Sequence, residues 1–520
     1  MTKILDTGLD RRTFLKASAA TGVAASVAAP TAAKAAPSRG GTFRIGKAHG
    51  STSDTLDPGI AENGFQLGML FAMHNYLTKV ASDGSVEPEI AESWEASPDA
   101  SEWRFKIRSG VTFSNGKDVT PEDVVASMNH HRGEDSTSVQ GPQMEPVEEI
   151  SVDGDTVVFK LAGGNADFPF TVTDYHMPIL PANSDGTANW QDGIGCGAYQ
   201  LDHYEPGVGA ELSHRADDWD AGNRGWFNEI QMTSIVDLNA RTTALVSGDV
   251  DVIDRPDLKT VNLLARNPGV IINSAAGTQH YTFPMRTDQA PFNDNNVRMA
   301  LKHAVNREEM VEKILFGYGS VGNDTPIGPA NRYHNTEMEQ TSYDPDKAKW
   351  YLEQAGLSNL TVDLSAADAA FAGALDAAVL YQNSAGPAGI DINVIREPND
   401  GYWSDVWMNK GWCACYWGGR PVEDQAFAIA YQGGVPWNDT FWQNDRFDEL
   451  LIMARSELDT DRRREMYYEM QVILNQEGGL VCPMFASYVW ATRDNVMTPD
   501  DIASNWAMDG ERSTTRWWFA

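Results

Sequence analysis

The chain reads as an α/β protein built from two or three interwoven lobes. Two observations carry this reading. Short alternating apolar/polar stretches take turns with longer helical patterns along most of the length, and 520 residues are enough for several separate cores. A third observation, the lack of any internal repeat or low-complexity linker after the first 35 residues, argues against beads on a string.

Taken in order, Gly40–Gly46 predicts a short strand, and a helix follows around Phe65–Tyr76. Trp103-Arg-Phe-Lys-Ile107 alternates apolar and cationic residues, as a half-buried strand does. Gly110–Gly116 reads as a turn with a short strand. Thr120-Pro-Glu-Asp123 opens a helix, because Thr caps, Pro suits the first helical position and acids favour the positive end. Ile150–Leu161, split by Asp153-Gly154-Asp155, predicts a hairpin. Leu238–Ser247 predicts a helix stopped by Gly248, followed by a strand holding Val250 and Val252. A single longer helix is expected over Val297–Leu315, another from Asp344-Pro345 to Gly356, and two more within Asn444–Asn475.

The bulk properties exclude several functions. A net charge of −33 rules against a nucleic-acid role, which needs a basic face, and against docking on anionic lipid. No apolar run beyond residue 35 approaches the roughly 18–20 residues needed to span a bilayer. The first 35 residues stand apart. Arg11-Arg12-Thr-Phe-Leu-Lys16, a soft Ala-rich stretch and Ala33-Lys-Ala35 resemble a twin-arginine export signal, with Asp10 where Ser or Thr is commoner. No cysteine lies near the expected cleavage point, so no lipid anchor is expected, and a free periplasmic protein follows.

Four cysteines, Cys196, Cys413, Cys415 and Cys482, are too few and scattered for a metal site at ligand spacing. Cys413 and Cys415 would share a strand face, where a mutual disulfide is strained. A bridge from one of them to Cys482 is the expected pairing, worth about 4 kcal/mol on the chain-entropy model.

Several stretches together resemble one family. Pro88-Glu-Ile-Ala-Glu-Ser-Trp94, the run Trp103–Phe113 followed by Asn115-Gly116 and Thr120-Pro-Glu-Asp-Val-Val125, Gly195-Cys-Gly-Ala-Tyr199, Ala244–Asp251, and Pro291-Phe-Asn-Asp294 with Val297–Leu301 are similar, in order, to segments of the extracytoplasmic solute-binding proteins of peptide, opine and nickel ABC importers, family 5. The resemblance implies a two-lobed, periplasmic-binding-protein-like clam-shell of class II type with an extra subdomain on the first lobe. It implies lobe I from 36–78, 195–285 and 485–520, the subdomain from 79–194 and lobe II from 286–484. Ligand would lie between the lobes, and the closed form would dock on the permease transmembrane subunits. A monomer that needs no cofactor is expected.

The resemblance also directs attention to GWCACYWGGRPVED, residues 411–424, a segment that lines the cavity in peptide-binding members. There an aspartate usually meets the ligand ammonium; here Cys415 stands at that position, and a thiol cannot compensate a buried cation. Glu423 or Asp424 would substitute, or the cation would rest on indole faces. Trp403, Trp407, Trp412, Trp417, Trp437 and Trp442 supply many such faces. The expected site therefore comprises Trp412, Cys413, Ala414, Cys415, Tyr416, Trp417, Gly418, Arg420, Glu423 and Asp424. Arg286 joins it as a carboxylate clamp or else forms an interlobe ion pair. Asn63, Gly64 and Tyr175 approach from the other lobe, while His176 reads as a structural histidine. Gly418-Gly419 marks a place where backbone comes close to something.

A secreted hydrolase is the rival class. The chain has no G-x-S-x-G, H-E-x-x-H or P-loop, so no catalytic residues are assigned. The expected ligand is a small amphipathic solute, such as an oligopeptide, opine or amino-acid derivative, with a carbohydrate as the alternative.

Overall fold

The computed structural model describes residues 36–420 and 422–520. The export signal expected in the first 35 residues lies outside them. Most elements form where the local chemistry places them. The first helix spans Gly64–Met73, with the Asn63 side chain accepting from the N–H groups of Phe65 and Gln66. The helix Pro121–Asn129 begins after Thr120, whose backbone N–H donates to the Asp123 carboxylate at 2.8 Å. The hairpin joins Val147–Asp153 to Thr156–Leu161 through Gly154-Asp155. Leu238–Ser247 is helical and ends at Gly248, whose φ of 82° suits glycine.

One element differs. The helix expected over Val297–Leu315 is two helices, Asn295–Ala304 and Arg307–Ile314. Val305 is extended, and the Asn306 side chain accepts from the Glu309 N–H, so a new N-terminus is capped where the apolar pattern predicts a continuous stripe. Asn before Arg-Glu-Glu was the available signal.

The strands assemble into separate layers. A seven-stranded mixed sheet runs in the order Val270–Ala275, Tyr488–Arg493, Val252–Asp254, Thr42–Lys47, Glu229–Ser234, Gly209–His214 and Tyr199–Glu205. Its core contains Phe43, Phe227, Trp490 and Trp517. A four-stranded antiparallel sheet, Ala91–Ala96, Glu102–Ile107, Thr156–Leu161 and Val147–Asp153, has its own aromatic core of Trp103, Phe105, Phe159 and Phe168. A third sheet pairs Gly319–Val321, Met484–Ala486, His280–Thr282 and Cys415–Trp417, near the parallel pair Leu360–Ala366 and Ile390–Arg396.

The chain crosses between the first and third of these sheets twice, side by side. Ala275 pairs with Tyr488 in the large sheet, and His280 pairs with Phe485 in the smaller one. Two adjacent antiparallel crossings make a hinge, because bending there disturbs few contacts. The molecule is accordingly a two-lobed α/β clam-shell.

The expected disulfide does not form. All four cysteines are free thiols and buried. Cys415 pairs with Thr282, and that strand separates it from the strand at Met484. Two strand spacings put Cys415 and Cys482 roughly 10 Å apart, beyond disulfide reach.

Candidate functional site

The segment 411–424 is split between core and cavity. Trp412 is sealed inside, with its indole N–H donating to the Phe283 carbonyl at 3.2 Å and its ring against Phe292 and Tyr381. Cys413 and Ala414 are buried in the same cluster, and the Tyr402 hydroxyl donates to the Ala414 carbonyl at 2.8 Å. These three belong to the packed core. The strand Cys415–Trp417 then alternates, with Cys415 and Trp417 inward and Tyr416 outward at 42% exposure.

Trp417 borders a small cavity shared with Thr278, His280, Arg420, Gln425 and Tyr431, with Gly418 at its edge. Its free space is about 10 Å³, enough for roughly one water. The glycine pair now has its reason. A Cβ on Gly419 would fall 1.8 Å from the Thr278 Oγ1, so only glycine lets this loop lie against the hinge strand.

Arg420 reaches into this cavity with little to hold it. Its Nη1 donates to the Gly418 and Gly419 carbonyls at 3.3 and 3.4 Å, and among the described residues no carboxylate pairs with it. Burial pushes its pKa down, the mark of a cation lacking compensation.

Behind Trp417 lies an acid that reading the sequence did not single out. Asp439 is buried and accepts from the Trp407 and Trp417 indole N–H groups at 3.1 and 3.3 Å. The nearby Cys415 thiol lies 3.4 Å from the Tyr416 carbonyl, and the second Asp439 oxygen, Oδ1, has no partner among the described residues. Burial raises its pKa to about 6, against the opposing pull of the two indoles. Trp407 and Trp417 cluster with Trp437, with ring centroids 6.2 to 6.5 Å apart and steeply inclined planes. The available signal was one acid within Trp437-Asn-Asp-Thr-Phe-Trp442.

A second small cavity touches the first through Gln425. Its walls include Gln140, Phe170 and Asp174 from one side and Val422 from the other. Gln425 donates to the Gln143 side chain at 3.1 Å across this gap.

The acids at 423 and 424 are engaged elsewhere. Glu423 accepts from the Tyr333 N–H at 2.8 Å, and Asp424 pairs with Arg455 at 3.0 Å. Burial raises both carboxyl groups, partly offset by Arg332 and Arg455 respectively. Nearby, Asp167 takes Arg463 in a two-pronged ion pair and Arg332 at 2.9 Å. Burial opposes the Asp167 charge, but the two guanidinium groups hold its pKa below the usual range. Arg286 binds Asp288 at 2.7 Å and stacks on Phe441, so it is neither a free clamp nor an interlobe bridge.

The remaining candidates sit across the molecule. Asn63 caps its helix, and Gly64 lies beside His49, Asp254 and Glu511. Tyr175 stacks on His176 and meets Trp506 edge-on, at the end of the second cavity where Trp506 is a wall. His176 is held by Asp174, Gln140 and the Ala61 carbonyl, as a structural histidine is.

Hinged α/β lobes meeting over a small, aromatic-walled cavity define a receptor that captures a solute. Comparison with known proteins agrees. The family model for bacterial extracellular solute-binding proteins, family 5 Middle, matches residues 85–439. The chain belongs to this family, whose members are transport receptors and not enzymes. It is 26% identical over 435 residues to the "Probable ABC transporter periplasmic-binding protein SapA" of Escherichia coli K12, covering 75% of this chain and 77% of that one. It is 24% identical over 436 residues to the dipeptide-binding protein of the same organism, covering 75% and 79%. The structure of HbpA2 from Haemophilus parasuis shares its fold, with a TM-score of 0.81 at 20% identity over 90% of this chain and 99% of that one.

Proposed function

We propose that the protein is the periplasmic substrate-binding subunit of an ABC importer, exported by the twin-arginine route. In this reading it captures a small amphipathic solute carrying both a carboxylate and an ammonium, of the oligopeptide, opine or amino-acid-derivative kind. Segments 36–78, 195–285 and 485–520, with the subdomain 79–194, close against 286–484, and the closed monomer engages the permease transmembrane subunits. The dipeptide-binding relative and the ABC-transporter relative support this role.

One observation carries the ligand class: two uncompensated charges of opposite sign flank Trp417. Arg420 has no acidic partner among the described residues, and Asp439 keeps an oxygen without one. A ligand carboxylate gives Arg420 a two-pronged partner. A ligand ammonium gives Asp439 the cation that Cys415 cannot complement, with indole faces adding about 0.5–2 kcal/mol. The test is thermal unfolding with di- and oligopeptides, opines, betaines and oligosaccharides. A true ligand at 100 times its Kd adds about 2.7 kcal/mol. Trp417→Ala and Arg420→Met should each abolish the shift, while Glu423→Ala keeps it. The exposed indoles of Trp403 and Trp437 favour a carbohydrate as the second reading, and it wins if oligosaccharides alone stabilise the protein.

A further inference from the structure

A second cationic position lies apart from the Trp417 cavity, where the parallel strands Thr42–Lys47 and Val252–Asp254 end side by side. Open α/β sheets hold ligands at the carboxyl ends of such strands. Arg255 follows the second strand directly, and its φ of 46° is left-handed, a costly conformation for a residue with a side chain. The backbone is held there from both sides. The Arg255 N–H donates to the Val489 carbonyl at 3.1 Å, and the Arg255 carbonyl accepts from Arg241 Nη2 at 3.0 Å. The exposed guanidinium then meets His49, with Nη1 3.2 Å from Nε2.

That contact does not work as an ordinary hydrogen bond. His49 Nδ1 already accepts from the Gly64 N–H at 3.2 Å, at the start of the helix Gly64–Met73. Burial, with the Arg255 charge adding to it, lowers the His49 pKa, so the ring is neutral and carries one proton. With Nδ1 accepting, the proton is on Nε2. Nε2–H and the Arg255 N–H are therefore two donors side by side, and each needs an acceptor. The charges around them are already matched: Lys47 pairs with Glu511, and Asp254 faces Arg241 at 4.0 Å. Among the described residues no carboxylate pairs with Arg255, which is notable in a chain of net charge −33. Tyr281 and Tyr488, on the strands that cross between the sheets, lie within reach of this charge: burial raises both hydroxyl pKa values and Arg255 opposes it.

We propose that Arg255 Nη1 and His49 Nε2–H form an oxyanion subsite, separate from Arg420, where a carboxylate or phosphate group of the captured solute binds. Such a group gives both donors an acceptor and gives Arg255 a counter-charge, which water cannot supply. The proposal rests on the reading of the protein as a solute receptor and does not need the Arg420 assignment. It makes Arg255 and His49 specificity-determining residues that favour solutes with an anionic group at the hinge end of the cleft.

Nitrogen NMR of the full mature chain carrying isotope-labelled histidine tests this, with His49→Gln assigning the signal. The probes are inorganic phosphate and succinate, added at constant ionic strength. Without either, His49 should show the Nε2–H tautomer. At least one probe should shift the Nε2 resonance saturably while chloride does not. Arg255→Met should weaken the midpoint about tenfold or more, with Arg255→Lys in between. A response to phosphate alone assigns a phosphorylated group, and a response to succinate alone assigns a carboxylate. An Nδ1–H tautomer, no saturable shift with either probe, or a midpoint unchanged in folded Arg255→Met overturns the subsite, and the two donors then hold only water. If a probe binds while none of the solutes in the thermal panel stabilises the protein, the subsite stands and the solute class proposed above falls.

Discussion

At the scale of single residues, buried charge without full compensation marks the site, and it has a cost in stability. Asp439 has a folded pKa of about 6 against an ordinary 3.8. The folded state therefore binds a proton more readily, and stability falls as pH rises from about 4 through 6. Asp439→Asn should stabilise the ligand-free protein at pH 7.5 by about 1–3 kcal/mol, with little gain at pH 4, as thermal melts at the two pH values will read. The same variant should lose affinity for ammonium-bearing solutes. Little of this was legible beforehand. The sequence drew attention to Cys415 and to the crowd of tryptophans, but Asp439, 22 positions beyond Trp417, meets that indole only through the fold. The acids nearest in sequence, Glu423 and Asp424, proved already occupied by Tyr333 and Arg455.

At the scale of elements, local rules were reliable wherever they acted within one helical turn or one hairpin. Thr120-Pro-Glu-Asp, Asp153-Gly-Asp and Gly248 each set a boundary through short-range hydrogen bonds or backbone freedom. The rules failed at Val305, where an apolar residue that fits a helical stripe is instead extended and Asn306 starts afresh. Asn306→Ala should cost about 1 kcal/mol in denaturant unfolding, as the loss of a cap does. The loop after Trp417 is constrained more severely. Gly419→Ala forces a methyl into the Thr278 side chain and should destabilise by about 1–3 kcal/mol, with Thr278→Ala restoring part of it. A Gly419→Ala protein as stable as the natural one in the same measurement would mean that this loop is free to move off the hinge strand.

At the scale of the whole molecule, buried ion pairs and hydrogen bonds tie the segment around Asp167 to residues far along the chain. Asp167, on the segment after the four-stranded antiparallel sheet, is gripped by Arg463 and Arg332, nearly 300 and 165 residues away along the chain. The Ala166 N–H donates to the Arg455 carbonyl at 2.7 Å, and Gln143 meets Gln425. Removing one partner of a buried ion pair strands the other, at about 3–5 kcal/mol. Asp167→Asn should therefore shift the population toward open forms. Small-angle scattering should show a larger radius of gyration, and ligand affinity should fall although no ligand contact is touched. Because the Asp167 pKa is depressed, this contribution is present above the ordinary carboxylate range and is lost only as pH drops through its lower folded value.

The sequence by itself determined the α/β alternation, the helix and turn boundaries and the family, since these depend on periodicity, caps and ordered short motifs. Tertiary structure alone decided which of the marked residues face a cavity. It put Trp412 and Cys413 in solid core, left Cys415 and Cys482 apart with a strand between them, and brought His280, Trp417, Arg420 and Tyr431 to the wall of one cavity. The reason is physical: side-chain direction and burial are set by strand order and by partners hundreds of residues distant, and no local pattern encodes either.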